Sequence, residues 1–224
     1  YAISAHAADE VQDGRPTLSL GESLAQVPGV FVTSRFNFAQ DTRLSIRGFG
    51  ARSAFGIRGV RVLLDGVPLT LPDGQSQIDS VDLAAIGKIE VLRGPAGSLY
   101  GNAAGGVLSL RTKRPTGRPQ AELLNVVGAF GLYKAALSGR GRVGQSDVST
   151  FASYTRFDGY RQQSGARSVV VSSRVATQIT RKVEWANTLQ YVNNPRADDP
   201  GGLTPEQFED DPRQASPVNL RFQT

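Results

Sequence analysis

Short apolar runs closed by glycine corners dominate the first half of the chain. Leu44-Ser45-Ile46 ends at Arg47-Gly48-Phe49-Gly50, and Val60-Arg61-Val62-Leu63-Leu64 ends at Asp65-Gly66-Val67-Pro68. A third run, Ile89-Glu90-Val91-Leu92, ends at Arg93-Gly94-Pro95. Asp-Gly before Pro marks a tight turn, because glycine accepts positive φ and proline fixes φ near −65°. Arg-Gly-Pro stops a strand, since proline has no amide to continue a ladder. Further strands are expected at Tyr1 to Ala5, from Val30, and over Val107 to Thr112. Between Thr17 and Val30 the spacing of Leu20, Leu24 and Val27 predicts a short amphipathic helix. Ser19 and Glu22 stand where a capping box forms, and Pro28-Gly29 ends the helix. Asp79 to Ile86 predicts a second short helix. The stretches 35–41, 51–58 and 70–77 are polar loops.

From Gln120 the period changes to two. Val183, Trp185, Leu189 and Tyr191 fall on one face, with Asn187 the exception; Glu184, Ala186, Thr188 and Gln190 fall on the other. Val169, Val171, Val175 and Ile179 likewise oppose Ser168, Ser172, Arg174 and Gln178. Alternation in segments of about ten residues is the pattern of a transmembrane β-barrel. The connections alternate in length too: Gly144-Gln145-Ser146 and Thr180-Arg181 are tight, whereas Asp158 to Ala166 and Asn193 to Pro217 are long and polar. Five strands are expected, with the start of a sixth near Val218. Six strands leave open edges that hydrocarbon does not tolerate, so the chain is expected to be a fragment of a barrel.

The ordered set Ile46-Arg47-Gly48, Leu64-Asp65-Gly66-Val67-Pro68, Ile89 to Pro95 and Leu99-Tyr100-Gly101-Asn102 with Gly105-Gly106-Val107 resembles the plug domain of TonB-dependent outer-membrane receptors. The resemblance implies an α+β plug domain, a small mixed sheet with short helices, at 1–114. A linker at 115–119 and the first five to six strands of an antiparallel transmembrane β-barrel at 120–224 follow. It places the protein in the outer membrane of a Gram-negative bacterium. Outer-membrane lipid is the expected surroundings, and TonB the expected partner through a box upstream of residue 1. Asn37 to Asp41, Ser53 to Gly59, Leu71 to Gln75 and Ala197 to Thr204 are most similar to the branch that takes up pyrroloquinoline quinone, a branch otherwise grouped with iron-complex receptors. High-affinity uptake of a scarce anionic solute is therefore expected, with the plug gating the barrel and pyrroloquinoline quinone preferred over a ferric siderophore or ferric citrate. A plug-fold signalling or adhesive module without transport and a soluble sugar-binding sandwich are the alternatives of another class.

Composition narrows the picture mainly by exclusion. The 224 residues include 25 glycines, 12 prolines and no cysteine, so a disulfide framework and thiolate metal sites are out. No run approaches the roughly 18 apolar residues of a membrane helix. Net charge is +5 without a Lys/Arg block, which gives nucleic acid no footprint. His6 is the single histidine and reads as a loop residue. With no serine elbow and no cysteine, no catalytic residue, resident cofactor or metal site is expected. The glycine pairs complete no phosphate loop.

Candidate chemistry lies in the loops. Arg35, Arg52 and Arg58 have the forked guanidinium that grips carboxylates bidentately. Asn37, Gln40, Asp73, Gln75 and Gln77 offer hydrogen bonds beside them, and Phe36 and Phe55 offer rings to stack on a planar ligand. Solvated loops and internal salt bridges are the plain alternative for all of these. Arg47, Glu90 and Arg93 form a second group, which the resemblance implies to be structural, holding the plug within the barrel. The acidic stretch Asp198-Asp199-Pro200-Gly201-Gly202 lacks calcium-loop spacing. It is either a loop that closes over ligand or a solvated acidic loop.

Overall fold

The computed structural model describes residues 2–7, 14–24, 27–33, 36–53, 56–94, 100–101 and 103–221. Arg35 and Phe55, two expected ligand contacts, lie outside them. The chain divides into two compact units, Tyr1–Ser34 with Asp41–Arg114, and Arg35–Gln40 with Pro115–Thr224.

The first unit is built on a five-stranded mixed sheet. Its strands are β1 (Ala2–Ala7), β5 (Val60–Leu64), β6 (Val67–Pro68), β8 (Ile86–Arg93) and β9 (Gly106–Thr112), in the order β1-β8-β9-β5-β6. The β5–β9 pair is parallel, with Val60 opposite Gly106, and the other pairs are antiparallel. Two small hairpin-like pairs flank it: β2 (Val30–Thr33) with β3 (Arg43–Ile46), and β4 (Ile57–Arg58) with β7 (Gln75–Ser76). The inward positions Val60, Val62, Ile86, Ile89, Val91, Leu108 and Leu110 are fully or almost fully buried and pack on Leu44, Ile46 and Ile57. Each such side chain contributes roughly 1.5–3 kcal/mol by leaving water.

Helix α1 (Leu20–Leu24) adds Leu20 and Leu24 to this core. Its start is fixed by the expected residues: the Glu22 carboxylate accepts the Ser19 amide at 2.9 Å, and the Ser19 hydroxyl accepts the Gly21 amide at 3.2 Å. The expected helix at 79–86 is instead a single 3-10 turn, Leu83–Ala85. Asp82 caps it by accepting the Ala84 amide, and Ile86 is already extended and buried as the first residue of β8. The core claims Ile86 before a helix can propagate.

Asp65 does more than turn the chain. Its carboxylate accepts both the amide and the hydroxyl of Thr112, at 3.0 and 2.7 Å, and so ties the β5–β6 corner to the end of β9. Glycine is required at 106, where φ is +137° and a Cβ would collide with the Leu92 carbonyl oxygen.

The second unit carries an antiparallel meander, β10 (Gln120–Val127), β11 (Tyr133–Val143), β12 (Ser146–Phe157), β13 (Ala166–Thr180) and β14 (Val183–Ala197). Its register makes two unlike faces. One rung runs Leu123–Leu137–Ala152–Val171–Tyr191, each residue directly opposite the next. Leu123, Leu137, Tyr191, Val143, Leu189 and Trp185 on this face are 54–71% exposed. The opposite face holds Lys134, Ser153, Thr155 and Arg174, all buried, together with the ion pairs Arg140–Glu122 and Arg174–Glu184. Apolar side chains thus dominate the outward face and polar ones the inward face, where Phe151, Val170 and Ala176 are buried among them.

The outward face, measured between its aromatic end rungs at Tyr133 and Trp185, has a height that fits a membrane. Ten residues separate the rung of Tyr133 from that of Val143, about 33 Å along a strand. A tilt of about 40° reduces this to about 25 Å, the height of a barrel's lipid-facing band. Two boundaries differ from the sequence reading. Strand β14 runs on to Ala197 rather than ending at 192. Near Val218 there is a 3-10 turn, Asn219–Arg221, instead of a sixth strand. Among the described residues no helix is long and apolar enough to cross a membrane.

Candidate ligand-binding site

The tight turns 144–145 and 181–182 lie at one end of the meander, and the long segments 158–165 and 198–221 at the other. A central arginine organises the long-loop end. Arg161 donates to the carbonyl oxygens of Gly201 (2.6 Å), Pro200 (3.2 Å) and Gln214 (2.8 and 3.0 Å), fixing two distant parts of one loop. Gln163 and Asn219 add a second staple through Asn219 O and Asp199 O, at 2.5 and 3.2 Å. Within the same loop, helix α2 (Pro205–Asp210) starts at Thr204 with a complete capping box to Gln207 and proline in its first turn.

Residues 36–40 belong to this unit and are held by Asp199. Asn37 Nδ2 donates to Asp199 Oδ1 at 2.8 Å and Gln40 Nε2 donates to Oδ2 at 3.3 Å, while the Gly201 amide donates to Oδ1 at 3.0 Å. Phe38 meets Phe157 edge-on with centroids 5.7 Å apart. Burial pushes the Asp199 carboxyl up, but the bonds from Gly201, Asn37 and Gln40 outweigh it and hold the group below its ordinary value. Asp199 is therefore an ionised clasp at neutral pH.

Loop and clasp enclose a cavity of about 440 Å³, a volume suited to a small-molecule site. Phe36, Phe157 and Tyr160 form its apolar walls; Asn37, Gln40, Ser164 and Asp199 supply the polar lining. Phe36 sits at φ +48°, a costly backbone for a bulky residue that the surrounding bonds maintain. Just beside the cavity, Phe130 packs edge-on against Tyr160 at 5.2 Å, and the Arg213 guanidinium lies 5.3 Å from the Tyr160 ring centre. The site is thus aromatic, with one cation resting on a ring.

The expected site residues fall into separate groups. Phe36, Asn37 and Gln40 line the cavity. Arg58, Asp73 and Gln75 come together in the first unit: Arg58 donates to Gln75 Oε1 at 3.1 Å and lies 3.6 Å from the Asp73 carboxylate. There Gln77 reaches Asp41 at 3.4–3.5 Å, and Arg52 is exposed. Of the second group, Glu90 pairs with Lys88 (2.8 Å) and Arg111 (3.1 Å) within the first unit. The hydrogen bond from Lys88 leads the causes that lower its pKa. Arg93 donates to Pro28 O and Ser4 Oγ, both at 2.9 Å, and Arg47 is exposed at φ +50°. Phe157, Tyr160, Arg161 and Arg213 escaped the sequence reading. The signal for them was two aromatics and two arginines in or at the edge of otherwise polar loops. Among the described residues no group of three or more His, Cys, Asp or Glu is placed to hold a metal ion.

Residues 1–107 match the family model "TonB-dependent Receptor Plug Domain". The chain is 31% identical over 131 residues to the ferric enterobactin receptor PirA of Pseudomonas aeruginosa, an alignment covering 52% of the chain and 17% of the relative. It is also 31% identical over 192 residues to the vitamin B12 transporter BtuB of Photobacterium profundum, covering 80% of the chain and 30% of that protein. The siderophore receptor PirA of Acinetobacter baumannii shares the fold with a TM-score of 0.66 at 20% identity, over 87% of this chain and 32% of that one. The chain spans less than a third of the length of the curated relatives it matches, and these relatives are receptors and transporters rather than enzymes. Residues 1–107 are a TonB-dependent receptor plug domain, and the meander that follows matches the barrel strands of the same Gram-negative outer-membrane receptors.

Proposed function

We propose that the protein containing this chain takes up a ferric chelate across the outer membrane, the plug gating the barrel and TonB supplying the energy. The observation that carries this reading is the aromatic cavity of Phe36, Phe157 and Tyr160 with Arg213 on the Tyr160 ring. Flat rings stack on such walls, and a fixed cation favours an anionic, ring-bearing chelate. PirA, a relative at 31% identity, is a receptor for ferric enterobactin. Pyrroloquinoline quinone, preferred on motif resemblance, has no counterpart in the names of the relatives above, so the ferric chelate takes its place as the first reading. The reading assigns no catalytic step to any residue.

Isothermal titration of the full-length receptor tests it, with a ferric catecholate, ferric citrate, pyrroloquinoline quinone and cyanocobalamin as ligands. The catecholate chelate is expected to bind tightest, and Phe36→Ala and Tyr160→Ala to weaken it about tenfold each. Binding of pyrroloquinoline quinone or cobalamin alone would overturn the ferric reading. Binding without uptake by whole cells would favour the non-transporting alternative.

A further inference from the structure

At the long-loop end of the meander, one rung of the outward face carries three arginines. Arg156 is directly opposite Arg167, and Arg167 is directly opposite Arg196. All three are exposed. The third owes its place to an irregularity. Between Val169–Asn193 and Arg167–Arg196 the register advances two residues on β13 and three on β14. The extra residue lies at Asn194-Pro195, where proline gives up a ladder hydrogen bond at no cost. Without that bulge Arg196 would point to the opposite face. With it, its guanidinium lies over Gly165, where a Cβ would come within 2.6 Å of the Arg196 Cζ.

Like charges directly opposite one another destabilise a sheet, so such a rung is a cost to the isolated protein. Two acids offset part of it: Arg156 pairs with Asp158 at 3.0 Å and Arg196 with Asp198 at 2.6 Å. Three guanidiniums face two carboxylates, and exposed ion pairs of this kind are weak and exchange readily. Tyr133 stands in the same rung and Tyr154 in the next, ring centres 6.5 Å apart, as in an aromatic girdle at a membrane interface. Beyond them lies the apolar rung of Leu123, Leu137, Val171 and Tyr191. Cations, then a phenol belt, then bare hydrocarbon-facing side chains follow one another along a single face.

We propose that this rung is a binding site for the phosphate groups of an acylated lipid in the outer leaflet of the outer membrane, whose chains lie along the apolar face below. Guanidiniums bind phosphate oxygens bidentately, and the bulge places the third fork level with the other two. The lipid takes over the neutralisation that Asp158 and Asp198 provide incompletely. This site is independent of the solute that the receptor carries.

The test is retention of lipid A by the full-length receptor, purified in detergent and counted by native mass spectrometry. Wild type is expected to retain phosphorylated lipid A and to lose the phosphatase-treated form. The triple variant Arg156→Gln, Arg167→Gln, Arg196→Gln is expected to retain about tenfold less. Arg181→Gln, in a turn at the other end of the meander, is the control and should retain the wild-type amount. Heat-modifiable gel mobility reports folding. Should the triple variant not fold, Arg167→Gln alone is expected to lower retention about threefold. Equal retention of both lipid forms, or unchanged retention in the folded variants, would overturn the site. Binding of inorganic phosphate to the rung with no retention of lipid A would also overturn it, reassigning the rung to a free anion.

Discussion

Asn37 donates its side-chain amide to Asp199 across 162 positions of sequence, at 2.8 Å. Gln40 donates to the other carboxylate oxygen, so a single acid anchors residues 36–40. Asp199→Ala removes the carboxylate that Asn37, Gln40 and the Gly201 amide all donate to, costing about 1–2 kcal/mol of local stability. Hydrogen exchange of residues 36–40 should rise by about tenfold or more while the exchange of β8 and β9 stays unchanged. Unaltered protection at 36–40 would show that the clasp is redundant.

The same acid sets a pH dependence. Its pKa in the fold lies below the ordinary value of 3.8, so the folded state binds fewer protons than the unfolded state. The contribution is complete above about pH 4 and fades as pH falls through the lower folded value. Protection at 36–40, relative to the intrinsic exchange rate at each pH, is therefore flat from neutral pH to about pH 5 and falls only at strongly acidic pH. A loss of protection centred near pH 6 would point to a different titrating group.

Arg161 makes its bonds to three carbonyl oxygens, and a lysine has neither the plane nor the number of donors to reproduce them. Arg161→Lys should thus behave nearly as badly as Arg161→Ala. Limited proteolysis would cut 198–221 several-fold faster in both, and ligand affinity would fall although Arg161 is committed to the backbone. Full rescue by lysine would mean that charge alone, and not the fork, holds the loop.

Much of the fold was legible because its signals are local. Period-two alternation from Gln120 gives the two faces of the meander and Gly144-Gln145 one of its turns, and Asp65-Gly66 gives the β5–β6 corner of the first unit. Half of the Ser19–Glu22 capping box forms as the spacing implies: Glu22 accepts the Ser19 amide, while the Ser19 hydroxyl takes the Gly21 amide instead of the Glu22 one. The failures come from tertiary competition. Ile86 is taken into a buried strand, which reduces a helical pattern at 79–86 to one turn. At Asn194-Pro195 a bulge lets β14 continue through residues whose composition reads as loop. The site was legible only in part. Asn37 and Gln40 read as hydrogen-bonding loop residues, but their partner Asp199 is fixed by folding, not by spacing. Arg58 was marked for an anionic ligand, and its guanidinium already faces Asp73 and Gln75. Nothing in a linear reading distinguishes Arg161, buried in backbone contacts, from Arg213 on an aromatic ring.

Glycine 106 makes a sharp stability test. Its φ of +137° is one that side chains rarely adopt, and a Cβ there meets the Leu92 carbonyl oxygen, which belongs to the ladder. Gly106→Ala should destabilise the plug by about 2–3 kcal/mol or more. Gly117, also at positive φ but with open space around it, should cost about 1 kcal/mol when changed to Ala. Equal losses in chemical denaturation would show that backbone strain, and not the collision, governs both.

The final prediction separates the two faces of the meander. Leu137 and Ser138 are neighbours on β11, yet Leu137 lies in the apolar rung and Ser138 opposite Glu122 and Phe151 on the polar face. Leu137 is 57% exposed and stands near mid-height of the band, where arginine facing lipid costs about 2–4 kcal/mol. Leu137→Arg should therefore lower the folding free energy of the full receptor in phospholipid vesicles by that amount, with little effect in detergent that can rearrange around the charge. Leu137→Phe, which keeps the surface apolar, should change it by less than about 1 kcal/mol. A solvent-facing sheet would predict the opposite order, because there an arginine on an exposed strand position is harmless and a further bare aromatic promotes aggregation. The ranking of these two variants in vesicles decides whether hydrocarbon or water covers this face.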